Sequence, residues 1–107
     1  MADKNKQQLI DLLDRKVFEP ILRKSPDDYD TEDERDKLRD VQESTVSERE
    51  RFREQYDSPE RVKDMYHSDL SSSSAKRVHE ESRELGLPLL EDVWEEFDQL
   101  CEKLGVR

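Results

Sequence analysis

The strongest hydrophobic pattern lies near the end of the chain, between Leu87 and Leu104. Its apolar residues recur every three or four positions, and acidic residues fall largely on the opposite side. These apolar positions are Leu90, Val93, Trp94, Phe97, Cys101 and Leu104, with Leu100 beside them. The segment follows Gly86, which is expected to end the preceding helix in a left-handed conformation, and Gly105 is expected to end this one. The pattern therefore predicts an amphipathic helix that starts at Leu87-Pro88 and buries one face.

A second apolar stripe lies between residues 4 and 24. Its members share one helical face and are Leu9, Ile10, Leu13, Val17 and Phe18, with Leu12 alongside. Pro20 falls inside this run, and an interior proline removes a backbone donor and clashes with the preceding turn. The helix is therefore predicted to end or kink near Phe18 or Glu19. Because the first and last helices carry the richest stripes, they are expected to pack together.

The part of the chain between these two stripes is more polar. Residues 25–31 are rich in Ser, Pro and Asp, which predicts a loop. Thr31 and Glu34 then fit a capping box, so one long helix is predicted to begin there and run toward Tyr56. Residues 44–47 are a weak point in it, since hydroxyl and β-branched residues are poor helix formers. With so few apolar positions, this region is expected to project from the core.

Two further helices are predicted between this region and Gly86. Ser58 is a favourable N-cap, and Pro59 suits a first helical turn. Residues 71–74 are four consecutive serines, which predict either a flexible joint or a cap for the next helix; the cap is favoured because a helical rhythm resumes at Ala75. No segment alternates as a strand would. Residues 1–107 are thus predicted to form a single all-α domain, a small bundle of four or five helices with antiparallel neighbours and no sheet.

The composition provides few apolar residues for a hydrophobic core. Hydrophobic residues make up 31% of the chain and charged residues 45%, whereas about 25% of residues are charged in typical soluble proteins. A chain of 107 residues also buries a smaller fraction of its surface than a large one does. The apolar faces of the first and last helices are expected to exceed what the polar middle covers. This predicts a protein partner or self-association, for example as a homodimer.

The formal net charge of −10 indicates which classes of binding partner are not expected. Nucleic acids and anionic membranes are polyanions, so direct binding to either is not expected. Charges alternate in sign between Glu48 and Gln55, which predicts a solvated helix face with many salt bridges. The single cysteine, the polar N-terminus and the absence of a long apolar run together predict a cytoplasmic protein.

Residues with catalytic or metal-binding character are sparse. Asp64 and His67 have the spacing of a metal-binding pair, and His79 follows twelve residues later, about a third of a turn out of register. Exposed histidines without a ligand are the favoured interpretation. Cys101 lies on the apolar stripe, where a thiol is expected to be buried and unreactive. No signature of a cofactor, a metal or a small-molecule substrate is present.

These observations favour a small acidic protein that is not an enzyme. We expect it to be an interaction or regulatory module in which a helix face docks against another protein or a second copy. The predicted interface residues are Trp94, Phe97, Leu90, Phe18 and Leu13. Trp94 is expected to pack in the core, with an interface anchor as the alternative. Two other hypotheses are an acidic inhibitor or antitoxin-like partner of a basic or nucleic-acid-binding protein, and a metal-dependent helical enzyme that uses Asp64, His67 and His79.

Overall fold

The computed structural model describes residues 4–71 and 73–106, and these two ranges contain helices and no β-strand. The α-helices are α1 Lys4–Leu13, α2 Glu19–Leu22, α3 Glu32–Glu50, α4 Pro59–Ser71, α5 Ser73–Glu84 and α6 Trp94–Leu104. Short 3₁₀ turns cover Pro26–Asp28 and Leu90–Val93, and π turns cover Asp14–Phe18 and Arg51–Gln55. The predicted all-α bundle is confirmed. None of the helices in these ranges combines the length and the apolar character needed to cross a lipid bilayer.

Pro20 changes the winding of the first helix instead of ending it. The π turn Asp14–Phe18 comes just before the proline, and the N–H of Glu19 donates to the carbonyl of Asp14, five residues back. A wider turn of this kind lets a helix continue past a residue that interrupts the regular bonding pattern. The interruption lies where the sequence predicts it, but α2 follows without a break.

α3 and the π turn Arg51–Gln55 form one long helix, as predicted. The Thr31 hydroxyl oxygen caps it by accepting the Glu34 N–H at 3.1 Å. Glu34 does not return a bond to the backbone as in a full capping box; its Oε1 accepts from the Thr31 hydroxyl at 2.9 Å. The helix continues through the weak point, and the buried Thr45 hydroxyl there is satisfied by donating to the Val41 carbonyl at 2.7 Å.

All the α-helices contribute to one hydrophobic core. Its most completely buried large side chains are Tyr66, Phe18, Phe52, Phe97, Leu9, Ile10, Leu13, Leu38, Val41, Val62 and Cys101. α1 lies against α4 and α6, so the predicted contact between the first and last helices is confirmed. The expectation that the polar middle projects is wrong, because α3 packs on α2 and α5 through Leu38 and Val41.

Both glycines end helices in the left-handed conformation, as predicted, with φ of 71° at Gly86 and 72° at Gly105. After α5 the N–H of Leu87 donates to the Ser82 carbonyl at 2.8 Å, which closes a Schellman motif. The next helix does not restart at Leu87-Pro88. It starts at the 3₁₀ turn Leu90–Val93 because the Asp92 carboxylate accepts the Leu89 N–H at 2.9 Å and caps the chain there.

α4 starts where the sequence predicts. The Ser58 hydroxyl oxygen accepts the N–H of Arg61 at 3.2 Å, and Pro59 occupies the first position of the helix. The structure describes α4 as far as Ser71 and α5 from Ser73 onward. Ser72 lies outside the described residues, and the choice between a joint and a cap for residues 71–74 stays a prediction.

Candidate interaction surface

Trp94 is the first residue of α6, and its side chain is 52% exposed. The expectation that it packs in the core is wrong. Around the axis of α6, Trp94 lies about 60° from the buried Phe97 and about 40° from the polar Asp98, given about 100° per residue. It therefore stands at the margin of the apolar stripe. In the described part of the chain, the other exposed large hydrophobic residue is Val46 on α3, at 45%.

The other four predicted interface residues are Leu13, Phe18, Leu90 and Phe97, and all are buried by the chain itself. Phe97 stacks on Tyr66 with 4.0 Å between ring centroids, and the Tyr66 hydroxyl donates to the Leu90 carbonyl. Phe18 lies 6.1 Å from Phe52, centroid to centroid. Side chains in these positions hold the core together and do not reach a partner while the bundle is folded. The structure therefore brings only Trp94 of the predicted set to the surface.

The Trp94 ring borders a shallow, acidic depression of about 260 Å³ on α6, which we call the Trp94 surface. It is lined by Trp94, Glu95, Asp98, Gln99 and Glu102. Asp98 Oδ1 lies 3.1 Å from Nε2 of His67. Glu95 and Glu102 are exposed, and neither makes an ion pair with another described residue.

The neighbouring acids of this segment are already paired with cations of the same chain. Glu91 pairs with Arg83, and Glu96 Oε2 lies 3.7 Å from Lys16 Nζ. The Trp94 ring itself has neither an aromatic nor a cationic neighbour within the described ranges, where the cation–ring contact is that of Lys24 over Tyr29. The Trp94 surface therefore combines an open aromatic ring with two acids, Glu95 and Glu102, that no cation of the described residues pairs.

A half-buried carboxyl pair is a second polar feature, and sequence reasoning missed it. Burial and a hydrogen bond to Asp69 raise the pKa of Glu48 to about 8, and Arg51 opposes this shift in part. The Oδ2 atom of Asp69 is also buried, and no N–H or hydroxyl in the described part of the chain donates to it. A pKa of about 8 means that Glu48 keeps its proton at neutral pH. Glu48 and Asp69 are far apart in a charge-rich sequence, so no local pattern marks the pair.

The cavity beside Glu48 is too small for a substrate. Its volume is about 20 Å³, and its polar lining comes from Thr45, Glu48, His79 and Ser82. That volume is close to the room one water needs. Carboxyl pairs with separated pKa values serve acid–base catalysis when a substrate can reach them. Here the arrangement offers space for a solvent molecule only.

Asp64, His67 and His79, the residues of the metal-enzyme hypothesis, do not converge. His67 faces Asp98, His79 lines the cavity beside Glu48, and Asp64 is exposed. Across residues 4–71 and 73–106, no group of three or more His, Cys, Asp or Glu side chains is arranged to hold a metal ion.

The Cys101 thiol lies inside the core, where the sequence places it. Burial raises its pKa to about 11, with Lys63 opposing the shift and Asp98 adding to it. Because the thiolate is the nucleophilic form, a thiol that stays protonated at neutral pH is a poor nucleophile.

Comparisons of the chain with protein-family models, with curated protein sequences and with solved structures gave no match.

Proposed function

We propose that this chain is a non-enzymatic protein that acts through protein–protein contact, with the Trp94 surface as its contact site. The exposure of Trp94, 52% in the only tryptophan of the chain, is the observation that carries the proposal. A tryptophan left half in water forgoes part of its hydrophobic stabilisation. Tryptophan is enriched among the residues that dominate binding energy at protein interfaces. A surface that keeps such a residue open is therefore suited to bind a partner.

The small size of the enclosed cavity found among the described residues supports a role in binding over one in catalysis. Enzyme sites that hold a small molecule are usually concave pockets of about 300 Å³ or more with apolar walls. The cavity beside the half-buried Glu48 measures about 20 Å³. The larger depressions on α3, α5 and α6 are open and lined mainly by charged side chains.

The partner we propose is a different protein. The prediction of self-association assumed that the apolar faces of the first and last helices lie uncovered. Residues such as Leu9, Ile10 and Phe97 on those faces are buried by the chain's own helices, so this reason for a second copy no longer applies. Two chains of net charge −10 would also repel each other. The cytoplasm is the compartment we propose, because the one cysteine serves as a core residue and requires no oxidising surroundings.

Capture from a native lysate with a tagged chain tests the proposal if it is run on three proteins in parallel. They are the unmodified chain, Trp94→Ala and Val46→Ala. Val46→Ala is the matched control, since Val46 is the other exposed large hydrophobic residue and lies on α3. A partner that uses the Trp94 surface should be retained by the unmodified chain and by Val46→Ala and lost from Trp94→Ala. Circular dichroism should show the same helical content for all three.

Retention of every captured protein by folded Trp94→Ala would contradict the proposal. Equal losses from Trp94→Ala and Val46→Ala would also contradict it, because general surface stickiness would then explain the capture.

A further inference from the structure

We infer that the Trp94 surface receives a basic side chain, arginine in particular, from an exposed segment of the partner protein. The inference rests on the proposed function and specifies the chemistry of the partner.

The acids of the Trp94 surface are placed around the ring in a way that suits a cation. Asp98 and Glu102 follow Trp94 by one and two helical turns, so they stand on its side of α6, and Glu95 lies beside it. A cation over the face of a tryptophan ring is attracted by the electrons of the ring. Carboxylates that line the same depression would add ion pairs. The ring and the carboxylates each attract a positive charge, and they do so at the same surface.

Arginine fits this combination better than lysine does. Its planar guanidinium stacks on an aromatic face and still presents N–H groups at its edge to carboxylates. Lysine carries a more strongly hydrated point charge, which can pair with a carboxylate but does not stack on the ring as a planar guanidinium does. An apolar side chain would remove water from Glu95 and Glu102 without replacing their hydrogen bonds. An acidic one would meet charges of its own sign.

The pairing of the flanking acids gives independent support. The chain supplies its own cations to the acids on either side, since Arg83 pairs with Glu91 and Lys16 with Glu96. Glu95 and Glu102 receive no such cation from the described residues. Acids without an ion pair among the described residues occur elsewhere on the chain too, but at the Trp94 surface two of them line the same depression as an exposed aromatic ring, where an external cation would meet both.

The inference can be tested by titrating the full chain with a hexa-arginine peptide and following tryptophan emission. The chain contains one tryptophan, so the signal reports on Trp94 alone. The peptide should change the emission in a saturable manner. A hexa-lysine peptide should bind more weakly, and a hexa-glutamate peptide should leave the emission unchanged.

Two double variants separate this site from general attraction to an acidic protein. Glu95→Gln with Glu102→Gln removes two charges from the Trp94 surface. Glu43→Gln with Glu50→Gln also removes two charges, but these lie on α3, away from the Trp94 surface. Both residues are exposed and have no ion-pair partner among the described residues. The first pair should weaken hexa-arginine binding by about fivefold to tenfold, and the second by less than about twofold, because close charges contribute most to an interface.

Equal weakening by the two double variants would overturn the inference, as would binding that leaves the Trp94 emission unchanged. The inference would also fall if hexa-arginine did not bind while capture of a partner still depended on Trp94. In that case the contact function would stand with a partner of other chemistry. Saturable binding at Trp94 without any Trp94-dependent capture would contradict the proposed function instead and leave the chemical preference of the surface in place.

Discussion

At the scale of single residues, the exposure of a side chain decides how much stability it contributes. Phe97 is buried, and Trp94 three residues before it is 52% exposed. Trp94→Ala should therefore lower the free energy of unfolding by about 1 kcal/mol, whereas truncation of a buried aromatic residue costs about 3–5 kcal/mol. Phe97→Ala on the same helix provides the comparison. Urea denaturation of both variants measures the difference, and equal losses would mean that Trp94 is packed in solution.

Glu48 should make stability depend on pH. Burial first, and then Asp69, raise the pKa of Glu48 from 4.5 to about 8 by disfavouring its charged form. The folded chain keeps this proton where the unfolded chain has lost it, so stability should fall as the pH rises from 4.5 to about 8 and level off above that. Glu48→Gln stays neutral and can still donate to Asp69, so this decline should disappear.

The measurement for Glu48 is the urea midpoint at pH values of about 5, 7 and 8.5. Glu43→Gln on the same helix is the control, because Glu43 is exposed and its replacement should leave the decline in place. A Glu48→Gln profile that declines as steeply as that of the unmodified chain would show that another group is responsible.

At the scale of elements, residues 48–55 form a mostly exposed helix face with salt bridges, as the sequence predicts, and some of these salt bridges cross to another helix. Two arginines of this face reach back to the buried Asp14 at the start of the first π turn. Nε of Arg49 donates to Asp14 Oδ1 at 2.9 Å, and Nη2 of Arg53 donates to Asp14 Oδ2 at 2.6 Å. Alternating signs along a sequence do not reveal which charges pair, because the partner lies on another helix.

Asp14→Asn tests how strongly these contacts hold the two helices together. Removing one partner of a buried ion pair costs about 3–5 kcal/mol. Arg49 and Arg53 are partly exposed and can regain water, so we expect a smaller loss of about 2 kcal/mol. Thermal or urea unfolding measures it. Asp11→Asn is the control, since Asp11 is exposed and its hydrogen bond among the described residues is the local one from Gln7; a similar loss in both variants would contradict the assigned role of Asp14.

Elements with strong local signals were predictable, and elements set by distant contacts were not. Apolar periodicity indicated α1 and α6, and Thr31, Ser58 and the two glycines marked helix ends through chemistry confined to a few residues. The 3₁₀ start of the last helix was missed, although Asp92 three residues after Leu89 is a capping signal that could have indicated it. Trp94 is exposed because it lies at the margin of the apolar stripe. Periodicity alone predicts the stripe but not which of its marginal residues are buried.

At the scale of the whole molecule, the chain forms a complete hydrophobic core despite its low content of apolar residues. The described chain measures 45 × 25 × 21 Å, so it is elongated, and nearly every large apolar side chain lies inside it. Composition suggested that the faces of the first and last helices would be left uncovered. α4 covers them instead, packing on α1 and stacking Tyr66 on Phe97 of α6, while Leu38 and Val41 of α3 are buried in the same core. Composition gives the number of apolar residues, but it does not show what fraction of them the helices bury.

The two π turns lie next to each other in the bundle, where Phe18 of the first contacts Phe52 of the second. A π turn holds about one residue more than the α turn it replaces, so each helix has one surplus residue at this level. Residues before and after the surplus are about 100° out of phase with an uninterrupted α-helix. A related chain without it would show continuous periodicity here. When relatives of different length are aligned with this sequence, single-residue gaps are therefore expected inside helices, within residues 14–18 or 51–55, as well as in loops.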